Sequence, residues 1–413
     1  MPVGLYISVP FCRTKCSYCN FASDVFSKSA YENYVARIID DIANSRRKAA
    51  ELGCTLEDTA DSIYLGGGTP SILDGSQLLR IFAAVRDHFV ITPDAEITVE
   101  CAPGTLTSAV IETLLRCGVN RVSLGVQSFV DQEAQSVGRL HKRATVLEEI
   151  GRLREVGIAN INIDLIAGLP HQTAESWAYS VSETIATGVP HVSVYMLEVD
   201  NDSRLGRELI AGGARYHAHF VPDEDATADF YERACELLAC AGIAQYEISN
   251  FARVGSGSRN NQSLHNSKYW TRQPYIGFGV DAHSMLVSNH YEDEWQQAVR
   301  FATPDSLDAY MNRAPYAVTP ISELAAIEES FFLGLRLNRG VDIEGLRQES
   351  HPEMIAVWES AIEQCMQEGL LEQEARTVRL TARGRLLSNE VFARFLMGET
   401  EETKVGTGHV NPR

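Results

Sequence analysis

The sequence has no run approaching eighteen uninterrupted apolar residues, so no membrane-spanning helix is expected. Its first residues, MPVGLYISVPFC, carry neither a basic stretch nor a small-residue cleavage site. No secretory signal is therefore expected, and the chain enters a strand at once. Basic charge is in deficit, with 36 Lys and Arg against 55 Asp and Glu and a net charge of −19. Neutralising phosphates needs the opposite balance, so no nucleic-acid partner is expected. The clusters Arg46-Arg47-Lys48 and Arg139 to Arg143 read as solvated helix faces or local anion contacts. Cysteine is too sparse for a secreted disulfide scaffold: nine residues, odd in number and unevenly placed, fit a reducing cytoplasm. There is no G-K-[ST] phosphate loop and no C-x-x-C-H for covalent haem attachment.

What is present is the balance of a globular protein, 45% hydrophobic and 22% charged over 413 residues, long enough for a large core and a smaller second one. Apolar β-rich runs at 4–11, 62–67, 96–101, 121–127, 160–168 and 191–199 alternate with helical patterns near 29–52, 76–89, 107–117, 143–156, 173–187 and 224–241. Alternation at this spacing predicts an α/β fold, a partial or full parallel (β/α) barrel with its chemistry at the carboxyl ends of the strands. After residue 200 the pattern changes. NDSRLGRELIAGGARYH predicts a loop or cap, YEISNFA (246–252) a further strand, and SGSRNNQSLHNSKYW (256–270) irregular chain. From about 320 the signals are helical, ending in a short strand and a helix, which predicts a small α-rich, winged-helix-like domain. The expected division is a barrel over 1–240, an extension over 241–315, a C-terminal domain over 316–396 and a disordered tail over 397–413.

Three of the nine cysteines, Cys12, Cys16 and Cys19, stand together in PFCRTKCSYCNF at a C-x3-C-x2-C spacing. Structural zinc normally takes four protein ligands as two separated pairs, and no second C-x2-C follows anywhere. One short loop can instead hold three corners of an iron–sulfur cube and leave the fourth iron open. The other six cysteines lie in apolar or helical settings and read as packing residues. LGGGTPS (65–71) follows the second strand, where glycines let a ligand approach main-chain groups. Glu100, Gln127, Arg139 and Asp164 recur at or near successive strand ends.

These motifs, in this order, resemble the radical S-adenosylmethionine superfamily. The resemblance implies a 4Fe–4S cluster on Cys12, Cys16 and Cys19, with S-adenosylmethionine chelating the open iron and undergoing one-electron cleavage of its sulfonium. It also implies that Gly67, Gly68 and Thr69 face the methionine part of the cofactor. Glu100, Gln127, Arg139 and Asp164 would contact its carboxylate, ribose and adenine, with Tyr6 and Phe21 nearby and Ala167 and Gly168 giving adenine room. Two departures from the family pattern are Ser8, where many relatives have His, and Asp281, where the residue is usually small.

Within the superfamily the likeness is to a porphyrin-related branch that includes an oxygen-independent coproporphyrinogen III dehydrogenase and a haem chaperone. The dehydrogenase has a fourth cysteine where this chain has Phe21, and a sizeable segment before its first cysteine where this chain has eleven residues. HNSKYW (265–270) fits a motif associated with the chaperone, which implicates His265 in holding haem. Imidazole is a good axial ligand and Tyr269 and Trp270 offer flat apolar surface, although a histidine beside aromatics is also an ordinary satisfied core residue. His283 and the pair His217 and His219 compete as ligands. The expectation is a cytoplasmic haem chaperone with a haem-acceptor protein as partner, membrane-associated acceptors included. A radical enzyme acting on a tetrapyrrole and a zinc-stabilised protein without redox role are the alternatives.

Overall fold

The computed structural model describes residues 1–254, 261–289, 296–349 and 352–396. The tail expected to be disordered, 397–413, lies outside the described residues. Two compact units divide at Ser322 and Glu323.

The first unit is built on one twelve-stranded sheet. Its first six strands are β1 (Val3–Val9), β2 (Thr59–Gly67), β3 (Val90–Cys101), β4 (Arg121–Gln127), β5 (Asn160–Ala167) and β6 (His191–Met196), paired in parallel and in sequence order. Helices Lys28–Ala43, Gly75–His88, Ser108–Arg116, Arg143–Glu155, Ala174–Thr187 and Glu224–Cys240 connect or follow them, close to the expected ranges. A parallel sheet is covered on both faces, which is why these strands read as apolar runs. Leu5, Ile7 and Val9 of β1 are fully buried. The alternate face is unusually polar: Tyr6, Tyr64, Glu100, Ser123, Asn162, Asp164, His191 and Ser193 lie on it and contact one another across the ladder. Apolar residues therefore glue strands to helices, while polar residues meet in the hollow.

Six further strands are β7 (Ile243–Gln245), β8 (Asn250–Arg253), β9 (Tyr275–Phe278), β10 (His283–Val287), β11 (Ala298–Ala302) and β12 (Ala317–Ile321). The order is β12-β11-β10-β9-β1-β2-β3-β4-β5-β6-β8-β7, so the sheet stays open and the barrel is the partial form. β9 pairs with β1 in parallel, Gly4 opposite Tyr275. The segment expected as an extension thus adds strands to the barrel sheet itself, and this unit runs to Ser322 rather than 315.

Two stretches expected to lack structure are partly helical. Arg204–Ala211 is a helix capped by Ser203, whose hydroxyl accepts from Gly206 N at 2.9 Å. Leu264–Trp270 is a helix capped by Ser263 in the same way, Asn266 N donating at 3.3 Å. Both are short and polar, so cap and tertiary bonds hold them where periodicity gives little signal.

The second unit pairs helices Glu323–Gly334, Ile343–Glu349, Pro352–Gln367, Ala382–Leu386 and Ser388–Ala393 with a small antiparallel sheet. Its strands β13 (Val341–Asp342), β14 (Leu371–Glu374) and β15 (Thr377–Leu380) lie in the order β13-β15-β14. Its core stacks Phe331 against Trp358 and Phe395, with ring centroids 5.3 and 4.9 Å apart, and the Trp358 indole donates to Phe395 O at 2.9 Å. This is the winged-helix-like arrangement expected.

Candidate functional site

The cysteine loop leaves the carboxyl end of β1 and is closed at its base by two backbone bonds, Cys12 N to Asp24 O and Asp24 N to Pro10 O, both 3.0 Å. Its flank is pinned from two sides. Ser17 N donates to Val137 O at 3.1 Å and Thr14 Oγ1 to Gly138 O at 3.1 Å, while Leu205 N donates to Ser17 O at 2.8 Å and Asn20 Nδ2 to Asp200 at 2.7 Å. The capped helix Arg204–Ala211 therefore docks on this loop. Cys12, Cys16 and Cys19 are free, half-buried thiols. Thr69 Oγ1 lies 3.7 Å from the Cys12 sulfur and Ser23 Oγ 4.0 Å from that of Cys19. Burial pushes both of these thiols above their ordinary value, and each also senses its neighbours' charge. Among the described residues no three His, Cys, Asp or Glu side chains stand poised around one metal ion. A cube offers separate iron corners, so its donor set is one thiolate per corner on a shared loop, as here.

β2 delivers the glycines. Gly67 has φ +98°, and a side chain at Gly68 would place its Cβ 2.7 Å from both Val9 O and Phe11 O. That closeness lets Gly68 N donate to Val9 O at 2.9 Å and Thr69 N to Phe11 O at 2.8 Å, which ties the exit of β2 to the residue before Cys12. Gly67 N turns the other way and donates to Glu100 Oε2 at 3.1 Å, and the Tyr64 hydroxyl donates to Glu100 Oε1 at 2.8 Å. Tyr6 and Ser8 sit beside Gly67, their oxygens 3.4 and 3.1 Å from where its Cβ would lie.

The remaining expected residues surround this mouth. Gln127, at φ +68°, is buried. Gly125 leaves the room in which the Gln127 amide and the Arg139 guanidinium lie side by side. Arg139 donates to the Tyr18 hydroxyl at 3.0 Å, which joins it to the cysteine loop. Asp164 accepts from Ser123 Oγ at 3.1 Å and Asn162 Nδ2 at 2.7 Å. Phe21 stands 46% exposed on the loop itself. Gln127 Oε1 and Arg139 Nε are buried without a hydrogen-bond partner among the described residues. Buried polar atoms are rarely left so, and a polar cofactor at the mouth would supply what they lack. Together with the glycine cradle and three free thiols, this donor set fits a cluster carrying S-adenosylmethionine.

Desolvation deep in the mouth pushes the Glu100 carboxyl up to about 7, against the Tyr64 bond that favours its ionised form. The expectation that Glu100 contacts the cofactor predicts an affinity for S-adenosylmethionine that is full above about pH 7, where the ionised carboxylate accepts from its amino N–H groups, and that falls as pH drops below it. Glu100→Gln should weaken binding roughly tenfold and abolish that pH dependence. Calorimetric titration between pH 5.5 and 8.5 reads both effects.

His265 does not stand at this end of the barrel. It lies near the amino ends of the strands, 1% exposed, beside Gly4 and Ser62. Its Nδ1 shares a hydrogen bond with Ser62 Oγ at 3.0 Å and its Nε2 with the Tyr269 hydroxyl at 2.8 Å. Burial first, then the charges of Lys268 and Arg121, push it down to about 3, so the ring is neutral. Both nitrogens are thus engaged within the protein and the ring is enclosed. Of its competitors, His283 is half-buried beside Asp281 at 3.7 Å. His217 bonds His171 at 3.2 Å, and His219 is exposed with its ring 4.1 Å from that of Phe220.

Sequence reasoning missed Tyr64, Tyr18 and Ser23. Tyr64 was within reach, since alternation along SIYLGG puts it on the face of Ser62 and Gly66.

Comparison with known proteins follows the same lines. Residues 6–182 match the model of the radical SAM superfamily and residues 321–387 that of the HemN C-terminal domain. A protein of Lactococcus lactis described as heme chaperone HemW is 31% identical over 96% of this chain and 98% of its own length. One of Bacillus subtilis with the same description is 31% identical over 95% and 98%. Among solved structures, the coproporphyrinogen III oxidase HemN of Escherichia coli superposes with a TM-score of 0.78 at 22% identity, covering 95% of this chain and 90% of that one, a likeness of fold. No helix among the described residues is long and apolar enough to cross a membrane. The chain belongs to the radical SAM superfamily, whose cofactors are a 4Fe–4S cluster and S-adenosylmethionine, and within it to the HemW family.

Proposed function

We propose that this protein is a cytoplasmic haem carrier that binds haem and passes it to an acceptor protein, membrane-associated acceptors included. Cys12, Cys16 and Cys19 hold the cluster. Gly67, Gly68, Thr69 and Glu100 receive the methionine end of S-adenosylmethionine, and Gln127, Arg139 and Asp164 its remainder, with Tyr6 and Phe21 at the border. The observation that carries the reading is end-to-end likeness to heme chaperones combined with Phe21, where the dehydrogenase branch has a fourth cysteine. Bound together, the cluster and S-adenosylmethionine supply one-electron chemistry at the sulfonium. The chain's own part is to hold the carboxylate, guanidinium and amide in place and to shield the loop under Arg204–Ala211.

Haem ligation by His265 would require the helix Leu264–Trp270 to open and break the bonds to Ser62 and Tyr269. His219, exposed beside Phe220, offers an imidazole and an aromatic face without such opening. The test is an anaerobic haem titration of the reconstituted protein, with coproporphyrinogen III turnover assayed on the same sample. Stoichiometric haem binding without turnover is expected. Turnover with formation of 5′-deoxyadenosine would favour the enzyme reading instead.

A further inference from the structure

The helix Leu264–Trp270 is fastened to the strands that lead to the cysteine loop and the glycine turn. At its amino end the Glu96 carboxylate of β3 accepts from Ser263 Oγ at 3.3 Å and from Leu264 N and His265 N at 3.1 Å each. In its middle the buried Lys268 ammonium pairs with Asp61 of β2 at 2.8 Å and donates to Pro2 O, just before β1, at 2.9 Å. His265 adds Ser62 of β2. One helix thus staples the lower ends of β1, β2 and β3, whose upper ends lead to Cys12, Gly67 and Glu100.

A second connection runs through the hollow. The His265 ring stacks on Tyr64, with centroids 5.3 Å apart and planes inclined by 28°. Tyr6 flanks both, 6.2 Å from Tyr64 and 6.3 Å from His265. The far end of Tyr64 is the hydroxyl that donates to Glu100 Oε1, and the other oxygen of that carboxylate accepts from Gly67 N. Loss of the imidazole would remove one of the two rings stacked on Tyr64 and leave its hydroxyl freer to move from Glu100.

We propose that His265 is a positioning residue for the S-adenosylmethionine site, acting through Tyr64 to fix the Glu100 carboxylate and the Gly67 turn it holds. This rests on the reading that Glu100 and Gly67 line that site. It gives HNSKYW a role in cofactor binding: His265 props, Lys268 staples, and Tyr269 keeps the imidazole in one orientation.

The test is calorimetric titration of the reconstituted holoprotein with S-adenosylmethionine, with iron content and haem affinity measured on the same samples. His265→Ala should lower affinity roughly tenfold, the scale of a lost hydrogen bond to a charged group. Tyr64→Phe, which removes only the hydroxyl, should give a similar loss. The double variant should be little worse than either single one, because both break the same connection. His265→Phe keeps a ring against Tyr64 and should restore most of the affinity while still losing the bonds to Ser62 and Tyr269, which also covers an alanine variant that fails to fold. Iron content should hold in all four. Additive losses, or unchanged affinity in His265→Ala, overturn the proposal. So does a collapse of haem binding with S-adenosylmethionine affinity intact, which would make His265 a haem ligand. Failure of the wild-type holoprotein to bind S-adenosylmethionine would instead remove the site reading beneath it.

Discussion

Replacing Cys12, Cys16 and Cys19 together by alanine is expected to take bound iron from about four atoms per chain to background, since each thiolate would hold one corner of the proposed cluster. The visible absorbance of the cluster should vanish, and S-adenosylmethionine affinity should fall at least roughly a hundredfold with loss of the open iron. The fold should survive. The loop is closed by backbone bonds at Cys12 and Asp24 and pinned at Ser17 and Thr14, none of which uses a cysteine side chain. Iron analysis after anaerobic reconstitution, with circular dichroism on the same sample, checks both halves. Unchanged iron content would end the cluster assignment, and bound zinc in wild-type protein purified without oxygen would favour the zinc-stabilised reading.

The second large effect is expected from one methyl group. In Gly68→Ala the new Cβ would meet Val9 O and Phe11 O at 2.7 Å and Phe11 N at 3.0 Å. These are backbone atoms at and just past the end of β1 and cannot rotate aside, so the exit of β2 must move away from them. That should cost about 1–3 kcal/mol of stability, the usual range for overpacking. It should also disturb the bonds from Gly68 N and Thr69 N that set the approach to Cys12, and so lower iron retention and cofactor affinity together. Gly151→Ala is the matched control. It lies in the helix Arg143–Glu155 with nothing within 4 Å of its would-be Cβ, so it should raise stability by about 0.5–1 kcal/mol and leave the cluster alone. Thermal melts and iron content separate the two.

The barrel was legible because its physics is local to each element. A strand buried on both faces writes an apolar run, and a covering helix writes a 3.6-residue period. The cysteine loop was legible for the same reason, with all three thiols inside eight residues. What was not legible depends on partners far along the chain. Ser62, Tyr64 and Glu96 lie 169 to 203 residues before His265, and nothing in HNSKYW announces them. Read locally, an imidazole beside two aromatic residues suits a porphyrin, whereas in the folded chain the same chemistry suits a polar hollow that needs a floor. The helix Arg204–Ala211 was hidden differently: its glycine-flanked, charged sequence is a weak helix former that persists by its Ser203 cap and its hold on Ser17 O.

The place of β1 in the sheet also sets a timetable. Cys12 is made long before β9, yet β1 lies between β2 and β9, and β9 ends only at Phe278. At typical synthesis rates of roughly 5–20 residues per second, the strand beneath the cysteine loop waits on the order of fifteen to fifty seconds for its second neighbour. A cysteine loop whose supporting strand has both neighbours in place is therefore a late product of synthesis, and until then the strand beneath the three thiols has at most one of them.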